Sequence, residues 1–168
     1  RQTLDSHQLQ PAPQADPAVL VRRLYLALIG LPPTPAEVAT FAADPSETRY
    51  QQLVDAVASR ARYLVEQGVK PGDIVGVWQP RDAELVINLL AIQQAGGAYL
   101  PFDESTPVGR VAQIVRQAKV GFLLTDTRVE LDGVTLLALT GEGNTAVQLP
   151  TLVAEQSAYV LFTSGSTG

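Results

Sequence analysis

The stretch ELVINLLAIQQAGGAYLPFD, residues 84–103, decides the fold. Its first half carries apolar residues at helical spacing, and Asp82 just before it can cap a helix that runs to Gln94. Gly96 and Gly97 then end that helix. The AYLPFD that follows is extended, although Pro101 limits its pairing. The stretch therefore predicts a helix that passes directly into a strand.

The same alternation continues on both sides of this stretch. Upstream, DIVGVW (73–78) is short, β-branched and apolar, which predicts a strand. Downstream, Thr106 and Pro107 open a helix that reaches about Ala118. Three more strands are predicted at VGFLLTD (120–126), VTLLAL (134–139) and SAYVLF (157–162). Strands that alternate with helices imply crossover connections, so we predict an α/β fold with an incomplete, mainly parallel sheet.

The residues before this region predict an all-helical segment over 16–66, after a loose polar leader at 1–15. Asp16 can cap a first helix, and Thr34 with Glu37 forms a capping box for a second. A third helix should run from about Ser46 to Gln67. Its apolar stripe consists of Leu53, Val57, Ala61 and Leu64.

Composition excludes several classes of site. The 168 residues are 46% hydrophobic and 17% charged, which is ordinary for a globular protein. A net charge of −5 argues against a broad nucleic-acid face. The chain has no cysteine and a single histidine, His7, so disulfides, thiolate metal sites and histidine-based catalysis are not expected. We see neither a membrane-spanning run nor a secretion signal.

The last strand leads into the hydroxyl- and glycine-rich segment TSGSTG. Glycine lets backbone amides approach an anion closely, and Ser and Thr add short hydroxyl donors for phosphate oxygens. Such loops bind ligands at the carboxyl ends of strands in open α/β sheets. The segment lacks the glycine spacing and lysine of a Walker A loop, and a solvent-exposed turn is the alternative. The candidate phosphate-binding residues are Thr163, Ser164, Gly165, Ser166, Thr167 and Gly168.

AYVLFTSGSTG (158–168) resembles the signature loop of the adenylate-forming (AMP-binding) enzymes, which include acyl-CoA synthetases, luciferases and the adenylation domains of nonribosomal peptide synthetases. Three further stretches resemble the family in the same order: GVKPGDIVGVW (68–78), the opening stretch at 84–103, and TPVGRVAQIVRQAKVGFLLTD (106–126). The resemblance covers about residues 48–168. The sequence GGAYLPFD resembles amino-acid-adenylating domains more than fatty-acyl synthetases.

The resemblance implies that residues 67–168 are the N-terminal part of an adenylation domain that activates an amino-acid carboxylate with ATP and Mg²⁺. An acyl-CoA synthetase-like ligase is the alternative within the class. The loop would lie around the β- and γ-phosphates of ATP. In the family, the nucleotide and substrate pockets, the magnesium-binding acid and the catalytic lysine all follow the loop. We therefore assign no catalytic residue and no metal ligand, and expect neither activity nor tight ATP binding from this chain by itself.

Other conspicuous residues have structural interpretations. We interpret Trp78 and Tyr99 as packing residues. Asp103 and Glu104 suggest a solvated turn rather than a metal site. Arg22 and Arg23, on the first helix, suggest a solvated face.

Residues 20–63, with RRLYLALIGLPPTPAEV at their centre, resemble a different family. It is a helical domain of unknown function in large secreted bacterial proteins that also carry cytochrome-c-like modules. Two alternatives to an enzyme follow: a non-catalytic helical interaction module, and a fused or truncated reading frame without its own activity. Adenylation implies a cytoplasmic location, with no nucleic-acid or membrane partner. An unpaired sheet edge would favour self-association.

Overall fold

The structure, a computed structural model, describes residues 15–28, 32–43 and 47–162. The chain divides into two compact units, residues 1–50 and residues 51–168. Of the predicted leader, residues 1–14 lie outside the described residues. Within the described ranges, no helix is both long enough and apolar enough to cross a bilayer.

The first unit contains two capped helices, α1 (Pro17–Leu28) and α2 (Pro35–Ala43). The Asp16 carboxylate accepts from the Ala18 amide at 2.9 Å, as predicted for the cap of α1. Thr34 and Glu37 bond reciprocally, so the predicted capping box of α2 is confirmed. Donation from the Thr34 amide and hydroxyl lowers the pKa of Glu37. The Tyr25 hydroxyl donates to the other Glu37 oxygen at 3.0 Å and thereby links α1 to α2.

Helix α3 (Glu47–Glu66) buries most of the predicted stripe. Val57, Ala61 and Leu64 are buried, and Leu53 is half-buried. The helix ends at Gly68, whose φ of 96° lies in the left-handed region that favours glycine. The stripe has one member that the sequence did not predict, because Arg60 is also buried.

The second unit is built on four parallel strands, β1 (Ile74–Trp78), β2 (Ala98–Phe102), β3 (Phe122–Leu124) and β4 (Thr135–Leu137). Their order in the sheet is β2-β1-β3-β4. Helix α4 (Ala83–Gln94) connects β1 to β2, and helix α5 (Val108–Ala118) connects β2 to β3. Val75 in the central strand pairs with Tyr99 on one side and with Phe122 on the other. The predicted α/β class with a parallel sheet and crossover helices is confirmed.

One face of the sheet packs against α5. Its core cluster joins sheet and helix residues: Trp78, Leu100, Phe102, Val111, Ile114, Val115, Val120 and Leu123. Because side chains alternate along a strand, Val75 and Val77 point to the other face, and both are fully buried. The sheet is therefore covered on both faces, as parallel sheets are.

Four elements are shorter than the sequence predicted. Strands β3 and β4 have three residues each. Helix α5 begins at Val108, after a Pro107 cap with no side-chain hydrogen bond, and the Thr106 amide instead donates to the Asp103 carbonyl. Of the strand predicted at 157–162, only Tyr159 forms a bridge, with Tyr99 of β2. This segment lies at the edge of the described sheet, where a strand has a neighbour on one side only.

A loop that we call the strap, residues 138–144, crosses α3. The Gly143 amide donates to the Ser59 carbonyl at 3.1 Å, and the Ala138 amide donates to the Tyr63 hydroxyl at 3.2 Å. Contact is so close that a Cβ on Gly143 would lie 2.5 Å from the Arg62 carbonyl carbon. The strap therefore requires glycine at this position for space.

We expect Gly76→Ala to destabilise the second unit by about 1–3 kcal/mol, because overpacked cores lose stability of this order. The added Cβ would lie 2.6 Å from Leu123 Cδ1, which is buried between β1 and α5. Urea unfolding followed by the fluorescence of Trp78, the chain's single tryptophan, measures the change. Gly109→Ala in α5 is the control, since its Cβ meets nothing within 4 Å. Equal stability of the two variants would contradict the packing described for β1.

We expect Gly143→Ala to cost about 1–3 kcal/mol as well, but for a different reason. The Cβ would overlap backbone atoms of α3, which cannot rotate away, so the strap has to lift. Amide exchange at Gly143 should accelerate together with the loss of stability. Gly121→Ala, whose Cβ also meets nothing within 4 Å, serves as the control. Unchanged exchange at Gly143 would refute the strap contact.

Candidate functional site

The carboxyl edge of the sheet is where parallel α/β proteins bind ligands. Three turns leave the sheet at this edge, each directly after a strand: 79–82 after β1, 103–107 after β2 and 125–127 after β3. The first two open helices α4 and α5. Asp82 caps α4 by accepting from the Leu85 amide at 3.1 Å, as predicted.

The chain returns to this edge along the outer side of β2. The Tyr99 amide donates to the Ala158 carbonyl at 3.2 Å, and the Val160 amide donates to the Tyr99 carbonyl at 2.9 Å. This bridge is parallel, so residues 158–162 run in the same direction as β2. Val160 and Phe162 pack against the core cluster that contains Trp78 and Phe102. The described chain thus reaches the carboxyl edge at Phe162.

The predicted phosphate-binding residues follow directly, but all six lie outside the described residues. They are Thr163, Ser164, Gly165, Ser166, Thr167 and Gly168. Their hydroxyls and glycine amides are a donor set that fits phosphate oxygens and offers no carboxylate for a metal.

Two stacked tyrosines join this last segment to β2. The rings of Tyr99 and Tyr159 have centroids 5.7 Å apart and planes inclined by 26°. Tyr99 is buried, as predicted, whereas Tyr159 is 54% exposed. Burial, and secondarily the neighbouring Tyr159, raises the pKa of Tyr99. The pair supplies packing that compensates for the short hydrogen-bonded ladder.

Asp103 organises the turn after β2. The Ser105 hydroxyl and amide donate to its Oδ1 at 2.6 and 3.0 Å, and Arg81 Nη2 lies 2.9 Å from its Oδ2. The Ser105 hydrogen bonds, followed by the charge of Arg81, lower the pKa of Asp103. Trp78 Nε1 donates to the Asp103 carbonyl at 3.0 Å. The two neighbouring turns are therefore bonded to one another through Arg81 and Trp78.

The burial of Trp78 and the exposed turn at Asp103 and Glu104 are as predicted. Trp78 is only 5% exposed, while Asp103 and Glu104 lie exposed on the turn. No group of three or more potential metal ligands occurs in the part of the chain that the structure describes. Arg22 and Arg23 are exposed, as a solvated helix face requires.

A buried chain of polar side chains that was not predicted from the sequence joins α3, α4 and the turn after β1. Arg60 on α3 donates to Asn88 Oδ1 on α4, and its Nη2 contacts Glu84 Oε2 at 3.2 Å. Asn88 Nδ2 donates to Gln79 Oε1 at 2.7 Å, and Gln79 Nε2 reaches Asp82 Oδ1 at 3.4 Å. Two features of the sequence could have predicted this polar chain. Asn88 interrupts the apolar run LVINLLAI, and Arg60 falls on the apolar stripe of α3.

A pocket of about 330 Å³ lies at the amino edge of the sheet, opposite the edge that leads to the predicted loop. Its lining includes Arg116 and Lys119 at the end of α5 and Asp132 before β4. These residues belong to the amino edge of the sheet, whereas ligands of open α/β sheets bind at the carboxyl edge. The direction of the strands therefore favours the carboxyl edge over this pocket as the ligand site.

Comparison with known proteins identifies the family of this chain. The family model for AMP-binding enzymes matches residues 32–168. Delta-poly-L-ornithine synthetase of Acinetobacter baumannii is 38% identical over 141 residues, which cover 80% of this chain and 10% of that protein.

Solved structures share the fold. The N-terminal subdomain of Klebsiella oxytoca NpsA in complex with 3-hydroxyanthranilyl-AMSN has a TM-score of 0.61 at 27% identity, over 71% of this chain and 31% of that chain. The AMPPNP-bound form of the nonribosomal peptide synthetase FmoA3 has a TM-score of 0.59 at 36% identity, over 68% of this chain and 13% of that chain. This chain thus spans a third or less of each relative. It belongs to the AMP-binding enzyme family, as an N-terminal fragment of an adenylation domain of the nonribosomal peptide synthetase type.

Proposed function

We propose that this chain supplies the phosphate-binding part of an amino-acid adenylation domain. The observation that carries the proposal is the parallel bridge between Tyr99 and Tyr159. It directs the chain to the carboxyl edge just before the loop Thr163–Gly168, beside the turn of Asp103 and Arg81. In this proposal the hydroxyls and amides of the loop bind the β- and γ-phosphates of ATP.

The reaction is the activation of a carboxylate. A carboxylate oxygen of the amino acid attacks the α-phosphorus of ATP, the bond from that phosphorus to the bridging oxygen breaks, and pyrophosphate leaves with the electron pair. The chain's own contribution is to position the leaving phosphates and to compensate their charge with hydrogen bonds. When bound, Mg²⁺ would supply further neutralisation of the phosphates.

We assign the chain no catalytic residue and no magnesium ligand. A loop that binds phosphates without the walls of a nucleotide pocket makes few contacts, so ATP should bind this chain only weakly. In this proposal the remaining parts of the site come from a longer adenylation domain.

The names of the relatives favour amino acids over fatty acids as substrates. The Acinetobacter protein is named as an ornithine polymer synthetase, and other relatives are named as plipastatin and gramicidin synthases. Such a function would place the chain in the cytoplasm, where ATP is available.

The boundary that we propose puts the adenylation part at 67–168 and the helical segment at 16–66. Two observations bear on it: the family match begins at residue 32, and the second compact unit begins at Gln51. Helix α3 precedes the proposed boundary, and Arg60 bonds it directly to α4.

A chimera tests the proposed function. Residues 51–168 replace the matching segment of the Acinetobacter synthetase, and ATP–pyrophosphate exchange is measured with L-ornithine. We expect exchange to be retained, because the segment provides the same loop on the same sheet. The purified 168-residue chain should give no exchange by itself.

Loop variants of the chimera test whether ATP–pyrophosphate exchange depends on the hydroxyls of the loop. The double substitution Ser166→Ala with Thr167→Val removes two loop hydroxyls. It should lower the rate of ATP–pyrophosphate exchange on the order of 10²-fold, as loss of phosphate or oxyanion donors does. Ser157→Ala with Thr151→Val removes two exposed hydroxyls outside the loop and should change nothing. A folded chimera without exchange, or equal exchange in the two double variants, would contradict the proposal.

A further inference from the structure

Stability alone does not explain why Arg60 is buried. Arg60 is 7% exposed on the stripe that α3 buries, and its guanidinium donates to Asn88 Oδ1, to the Gly141 carbonyl at 2.6 Å and towards Glu84. Withdrawing a charge from water is costly, and apolar residues of similar size often serve stability equally well. Such networks can instead specify one arrangement of the elements they join.

The hydrogen bonds continue from Arg60 to the carboxyl edge. Asn88, fully buried, accepts from Arg60 with its oxygen and donates with its nitrogen to Gln79. Gln79, 4% exposed, is the first residue after β1 and reaches Asp82, the cap of α4. Because Asn88 uses its acceptor on one side and its donor on the other, the orientation of its amide is fixed.

The turn after β1 in turn contacts the turn after β2. Arg81 pairs with Asp103, and the Trp78 indole donates to the Asp103 carbonyl. Asp103 lies in the turn that follows β2. Tyr159, which precedes the predicted loop, forms its bridge with the same strand. Hydrogen bonds thus lead from α3 to Gln79, and the backbone of the turn after β1 joins Gln79 to Trp78 and Arg81, which contact Asp103.

We propose that Arg60 and Asn88 are positioning residues: through Gln79 they fix the turns after β1 and β2, at the edge that the described chain reaches just before the predicted phosphate loop. The link to the loop rests on the proposed function, while the coupling of Arg60 to the turns is independent of it. Neither residue touches a ligand in this proposal. Their effect is transmitted through the turn after β1.

The unmodified chain provides the first test. Native-state hydrogen exchange compares the Arg60 Nε proton, the Asn88 side-chain amide and the Trp78 indole proton. Arg60 and Asn88 are joined by a hydrogen bond, and Asn88 bonds Gln79, which follows Trp78 directly in the chain. We therefore expect the three protons to open together, with the same dependence on denaturant. Independent opening of Trp78 would overturn the proposal, and no variant has to fold for this result.

The second test separates positioning from packing. Asn88→Asp keeps an acceptor for Arg60 but removes the donor to Gln79, with almost no change of volume. We expect the Trp78 indole proton to exchange roughly tenfold faster and its resonance to shift, as follows from loss of a buried hydrogen bond. Asn144→Asp, the matched change at an exposed asparagine, should leave both unchanged, because its Oδ1 still accepts from Ala146.

A folded Asn88→Asp variant with an unaltered Trp78 signal would show that Arg60 and Asn88 serve packing alone. If this variant fails to fold, native-state hydrogen exchange of the unmodified chain decides between positioning and packing. Neither readout involves nucleotide, so a negative result here is distinct from failure of pyrophosphate exchange in the chimera.

Discussion

The parallel pairing of the central strand β1 is the constraint on which the rest of the structure depends. β1 is bonded on both sides, and Gly76 leaves no room for a side chain between the strand and Leu123. Its register sets the position of Tyr99, and Tyr99 sets that of Tyr159. The residues at its carboxyl end, Trp78 and Gln79, begin the contacts that organise the edge. A shift of one residue in β1 would therefore displace both the turns and the approach to the loop.

The second unit combines an apolar sheet core with one buried polar chain. Hydrophobic burial accounts for the layers, because the faces of β1 and β2 are covered by helices. It does not determine how α3 is placed along α4, since an apolar stripe tolerates sliding more readily than a set of directed hydrogen bonds. The bonds of Arg60 to Asn88, Glu84 and the strap carbonyl of Gly141 define that placement. The charge is tolerated because several acceptors surround it.

Much of this fold could be predicted from local sequence. The caps at Asp82 and Thr34 and the helix stop at Gly68 depend on neighbours a few residues away, so the sequence contains the whole interaction. Features that depend on distant residues were missed. The burial of Arg60 was not predicted, because arginine is ordinarily exposed even where its spacing matches an apolar stripe. The strap's need for Gly143 arises only where the strap contacts α3. The last strand was predicted too long, because its pairing depends on which neighbours lie beside it at the edge. For the candidate site, the sequence correctly predicted that Trp78 and Tyr99 pack. The role of the loop itself came from resemblance, since its six residues lie outside the described part of the chain.

In the proposed function, the loop that follows Phe162 at the carboxyl edge binds the phosphates of a nucleotide. Titration of the isotopically labelled chain with millimolar MgATP, followed by amide chemical shifts, examines this loop residue by residue. We expect weak binding with shifts confined to Thr163–Gly168 and the adjoining turn at 103–106. Shifts centred on the amino-edge pocket around Arg116 and Lys119, or no shift in the loop, would contradict the proposed function.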